Sequence, residues 1–111
     1  MPLFVVTYAH PNEEGWREHL VAHIGWLQDQ LKAGTLKASG PFNGVPTRSA
    51  MLIMAAETRE ALLSLIATDP FAEHSLIEDM TVTEWDPIFG AFNADSTMPG
   101  RAPGSSSLSS A

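Results

Sequence analysis

Apolar residues recur along this chain with two periods, and the switches between them mark the elements. Leu3 to Ala9 (Leu-Phe-Val-Val-Thr-Tyr-Ala) is dense in β-branched and aromatic residues and predicts a central strand. Pro11-Asn12 ends it. Asn12, followed by Glu13 and Glu14, suits a helix N-terminus, with a capping side chain ahead of acids at the positive end of the dipole. Trp16, Leu20, His23 or Ile24, Leu27 and Leu31 then recur at steps of three and four, which gives one continuous apolar helix face. Gly34 supplies the left-handed stop.

Thr35 to Ser39 reads as a short strand leading into Gly40-Pro41, and Pro41 to Arg48 as a loop with turn chemistry at Asn43-Gly44. Ser49 to Ala56 is apolar through its centre, as a buried strand requires. Thr58 caps a second helix, Arg59 to Thr68, with Ala61, Leu62, Leu65 and Ile66 inward. Asp69-Pro70 opens a single turn, Phe71 to Ser75, and Ile77 to Trp85 is the last strand. The order β-α-β-β-α-β is ferredoxin-like: an α+β fold with a four-stranded antiparallel sheet and both helices on one face. The other face would then carry apolar side chains without cover, which predicts a homodimer packed sheet to sheet. The division expected is one domain over residues 1–92. Residues 93–111, rich in Pro, Gly and Ser, read as a disordered tail.

With 111 residues and a formal charge of −7, the chain lacks the basic surface that nucleic-acid phosphates or anionic lipids require. No apolar run reaches the roughly 18 residues that cross a bilayer. Met1-Pro2-Leu3-Phe4 has no basic stretch of the kind that opens a secretory signal. There is no cysteine, so disulfides, thiolate nucleophiles and cysteine-bound metals are excluded. A cytoplasmic protein acting on a small molecule or another protein is the expectation.

Two residue types carry the candidate chemistry. His23 falls on the inward helix face, either as a core histidine satisfied by a carbonyl or as an acid–base group. Asp69 precedes a proline, which makes it a natural cap for the turn that follows, and its carboxylate could also fix an imidazole tautomer. His19 and His23 have metal-ligand spacing, but no glutamate lies between them, and His10 and His74 would have to complete the set, so no metal is expected. Gly40 allows a close backbone approach to a ligand and Ser39 could donate a hydrogen bond, or Ser39-Gly40-Pro41 is simply a tight strand exit. His10 and His74 are either solvated residues or substrate contacts.

The strings His23-Ile24-Gly25-Trp26-Leu27, Ala33-Gly34-Thr35-Leu36, Ser39-Gly40-Pro41-Phe42 and Ala67-Thr68-Asp69-Pro70-Phe71 resemble the YciI-like (YCII-related) family over about Leu3 to Gly90. The resemblance implies a ferredoxin-like dimeric α+β barrel in which His23 and Asp69 form a catalytic pair lining a cleft beside the dimer interface. Ser39, Gly40, Pro41, His74 and His10 stand beside that pair as the candidate substrate contacts. The reaction the resemblance brings is dehydrochlorination of a chlorinated hydroxyhydroquinone without metal or organic cofactor. Two departures stand out: the family often has arginine where this chain has Leu20, and glycine where it has Ser75. The function expected is therefore a cofactor-independent lyase acting on a small hydroxylated or chlorinated ring. The alternatives are a non-catalytic metabolite-binding module and a cofactor-free monooxygenase or isomerase of the same barrel type.

Overall fold

A computed structural model describes residues 1–101. Four strands, β1 (Leu3–Ala9), β2 (Leu36–Pro41), β3 (Ser49–Ala55) and β4 (Glu78–Trp85), form one antiparallel sheet in the order β2-β3-β1-β4. The helices are α1 (Glu13–Ala33), α2 (Arg59–Ile66) and the single turn α3 (Pro70–Glu73). This is the ferredoxin-like α+β fold, with β1 and β2 parallel to each other and β3 inserted between them. Among the described residues no helix is long and apolar enough to cross a membrane.

Alternation along β1 sorts the core. Phe4, Val6 and Tyr8 face the helices and pack with Leu52, Met54, Trp26, Leu62 and Ile66. Leu3 points the other way and packs with Ile53, Ala55 and Phe92. The second face is thus partly covered by the chain that follows β4. Each helix starts where its cap predicts. Asn12 accepts from the Gly15 N–H and Thr58 from that of Ala61, and Gly34 closes α1 at φ 80°.

Several expectations are corrected. β2 runs two residues past Ser39, pairing Gly40 with Met51 and Pro41 with Ala50. It lies at the sheet edge, where a proline without an N–H forfeits no ladder bond. α2 ends at Ile66, and Ala61 on it is exposed rather than inward. On α1 the buried residues are His23 and Trp26, whereas Ile24 (42% exposed) and Leu31 (55%) face away from the core. Trp26 can turn inward because its indole N–H donates to Thr68 Oγ1 at 2.8 Å.

Of the tail, residues 102–111 lie outside the described residues. Over 93–101, buried Asn93 organises the backbone: its amide donates to the Ile88 carbonyl, to Ser96 Oγ and to the Met98 carbonyl, and its Oδ1 accepts from the Arg101 N–H. One amide side chain gives this stretch the contacts that its apolar content does not.

Candidate active site

The chain between α2 and β4 places the carboxylate. Asp69 N–H bonds back to the Ile66 carbonyl at 2.9 Å, turning the chain out of α2, and Pro70 then holds the first position of α3 at a helical φ. Phe71 stacks on the His23 ring at 4.0 Å between centroids and 16° between planes. His74 stacks on His19 at 3.8 Å. These two ring contacts seat α3 against α1. Ser75 then leaves α3 at φ 56°, a left-handed conformation that suits glycine better.

The outcome is a buried pair. His23 Nδ1 lies 2.8 Å from Asp69 Oδ1 and 3.0 Å from Oδ2, across 46 positions of sequence. Asp69 is 1% exposed, and its Oδ1 also accepts the Phe71 N–H at 3.0 Å. The cap and the imidazole partner are therefore the same oxygen. A carboxylate only accepts, so Nδ1 carries the proton and Nε2 keeps the lone pair when the ring is neutral.

His23 also lines a cavity of about 460 Å³, within the range of small-molecule sites. The wall is drawn from three strands and two helices: Tyr8 and His10 at the end of β1, Ser39 to Pro41 of β2, Arg48 to Ala50 at the start of β3, Phe71 of α3, and the apolar residues Leu20, Ile24 and Leu27 of α1. This explains the wide apolar stripe of that helix, since part of it faces the cavity and not the core.

His10 is buried, with its ring between Tyr8 at 4.9 Å and Phe71 at 4.7 Å. Its Nδ1 donates to the Leu76 carbonyl at 2.6 Å, so Nε2 is the acceptor. Burial pushes its pKa down. The Leu76 hydrogen bond opposes this, the charge of His23 adds to it, Asp69 opposes and Arg48 adds. His10 is thus held neutral. Burial, with the Asp69 charge added, pushes the Tyr8 phenol well above its ordinary range, so it stays a hydrogen-bond donor.

Of the residues singled out by sequence, the structure gathers His23, His10, Ser39, Gly40 and Pro41 around one cavity, with Asp69 bonded behind His23. His74 is not in the lining; it stacks on His19 at the outer side of α3. Sequence reasoning missed Tyr8, which it reads only as part of the first strand, and Arg48, which ends a loop. Trp16, expected on the apolar face of the first helix, is half-buried and lines the cavity under the Arg48 guanidinium. Among the described residues no three His, Asp or Glu side chains converge as a metal cluster would.

Fold and site together define a ferredoxin-like α+β domain with a histidine–carboxylate pair in the wall of a small-molecule cavity. The model of the YCII-related domain matches residues 1–86, and the chain belongs to that family. Among solved structures it is similar to 5-chloro-2-hydroxyhydroquinone dehydrochlorinase (TftG) from Burkholderia phenoliruptrix AC1100, in complex with 2,5-dihydroxybenzoquinone. The TM-score is 0.65 at 22% identity, over 76% of this chain and 93% of that one. It is also similar to an antibiotic biosynthesis monooxygenase (TM-score 0.49, 20% identity, 76% and 96% covered). A conserved protein from Bacteroides thetaiotaomicron VPI-5482 gives 0.49 at 18% identity, with 76% and 97% covered. These are likenesses of fold. No curated protein matches the sequence.

Proposed function

We propose that this chain is an acid–base enzyme that removes HCl from a small chlorinated, hydroxylated aromatic ring, without a cofactor, through His23 and Asp69. The observation that carries the reading is the double placement of one imidazole. Its Nδ1–H is held by a buried carboxylate, while the same ring lines a cavity large enough for a substituted benzene. The likeness of fold to a dehydrochlorinase supports the choice of reaction.

His23 Nε2 takes the proton of a ring hydroxyl and delivers it to the chlorine-bearing carbon, which becomes tetrahedral as a carbonyl forms. A second hydroxyl then gives up its proton as the C–Cl bond breaks with its electron pair on chloride. One proton and one chloride leave, a hydroxyquinone remains, and no external oxidant enters. Neutral His10 is suited to accept the second proton, and Tyr8 to donate a hydrogen bond to the developing carbonyl. Ser39, Gly40 and Pro41 line the same cavity and orient the ring. We read the working unit as a cytoplasmic homodimer; half-buried Val5 and Met51 on the sheet face away from the helices support the pairing.

Chloride release from 5-chloro-2-hydroxyhydroquinone tests the proposal. His23→Ala should slow it by about 10²–10⁴, the usual contribution of a positioned acid–base group. Equal rates for the two proteins would remove His23 from the mechanism.

A further inference from the structure

We infer that Arg48, held over the Trp16 ring, recognises a negatively charged oxygen on the ligand's ring, so that this cavity takes its substrate as a planar anion. The inference uses the proposed acid–base site only to say where the ligand lies. Arg48 is the one permanently charged cation among the described residues that line the cavity. In a chain of net charge −7, a cation set there opposes the overall field.

Its placement is built from both sides. The Arg48 carbonyl accepts the His10 backbone N–H at 2.7 Å, which ties the start of β3 to the histidine at the end of β1. The guanidinium carbon sits 3.6 Å from the centroid of a Trp16 ring, and Nε donates to Glu13 Oε2 at 2.9 Å. Glu13 thereby occupies the Nε edge. Among the described residues the two terminal nitrogens form no hydrogen bond, so a two-pronged donor edge is left for an oxygen ligand.

A simpler reading makes Glu13, Arg48 and Trp16 a surface clasp that fastens the loop to the first turn of α1. Such a clasp has no need of the cavity, yet Arg48 and Trp16 both line it together with His10 and His23. The Arg48 side chain is 36% exposed, at the boundary between the cavity and water. An anion that leaves water for an apolar wall loses hydration, and a half-desolvated guanidinium held between Glu13 and Trp16 restores much of it. A neutral phenol gains little from the same contact. The ligand class is therefore a ring bearing an oxygen that is ionised at neutral pH, or that the site itself ionises.

The probe is 4-nitrocatechol, whose first hydroxyl ionises near neutrality with a change in visible absorbance. Titrated with wild-type protein across pH, the bound probe should ionise at least about one pH unit below the free probe, a tenfold preference for the anion. Arg48→Gln should return the bound probe to the free value. Glu13→Gln breaks the clasp but keeps the cation, so the shift should persist, and it should persist in His23→Ala. The inference is overturned if wild type does not bind the probe or binds it without the shift. It is also overturned if Arg48→Gln retains the shift, or if Glu13→Gln abolishes it. A protein that shifts the probe but releases no chloride sinks the proposed reaction alone; one that releases chloride without shifting the probe sinks this inference alone.

Discussion

Asp69 does two jobs with one carboxylate, and replacing it separates them. In Asp69→Ala the Phe71 N–H loses its cap and the buried His23 Nδ1–H loses its acceptor. Loss of an N-cap costs about 0.5–2 kcal/mol, and a buried donor left without a partner about 1–3 kcal/mol. The sum is about 1.5–5 kcal/mol, a large share of the marginal stability of a small domain. At this chain length each kcal/mol lowers Tm by roughly 4 °C, so the middle of the range is a fall of roughly 12 °C. Asp69→Asn keeps an oxygen for the Phe71 N–H but presents an amide whose NH₂ favours the opposite imidazole tautomer. Its stability loss should therefore be the smaller of the two, while its chloride release should fall nearly as far as that of His23→Ala. Urea unfolding followed by circular dichroism measures the first quantity. Nitrogen-15 shifts of the His23 ring report which nitrogen holds the proton. The reasoning fails if Asp69→Ala unfolds within about 0.5 kcal/mol of wild type, or if wild-type His23 carries its proton on Nε2.

Two further outcomes follow from the site and its supports. Burial holds the His10 pKa below its ordinary value of about 6.5, so the unfolded chain binds a proton that the folded chain refuses. That contribution to stability is complete above about pH 6.5 and drains away as pH falls toward the depressed folded value; the urea midpoint should drop between about pH 7 and pH 5 with a shallower slope in His10→Phe, and equal slopes would refute it. Gly34→Ala places a Cβ in open space, with no atom within 4 Å, at a φ of 80°. Its cost is backbone conformation alone, about 1 kcal/mol, read as a lower urea midpoint with 4-nitrocatechol binding unchanged.

The elements were legible because their signals are local. Asn12, Gly34, Thr58 and Asp69 cap what their chemistry says they cap, and β-branched runs became strands. The errors have physical causes too. The stripe on α1 predicts a single buried face, but Leu20, Ile24 and Leu27 of it line the cavity, and the core is reached by Trp26, which the stripe leaves out. Periodicity reports only that a side chain avoids water, and a cavity wall satisfies that as well as a core. Gly40-Pro41 carries turn residues, which predict an early end to β2, and an edge strand tolerates them.

The site asks for a different kind of information. That His23 reaches Asp69 depends on α3 docking against α1 through Phe71 and His74, a contact between distant segments that no spacing rule encodes. Residue type and helix face name His23 and Asp69 as candidates, and the resemblance to a family joins them as a catalytic pair. Arg48 shows the converse. It sits at the end of a polar loop with nothing in its neighbours to mark it, and only the antiparallel pairing of Ala9 with Ser49 brings it beside His10. Sheet register thus does for Arg48 what ring stacking does for Asp69, and the two together bring a fixed cation and a paired imidazole into the wall of the same cavity.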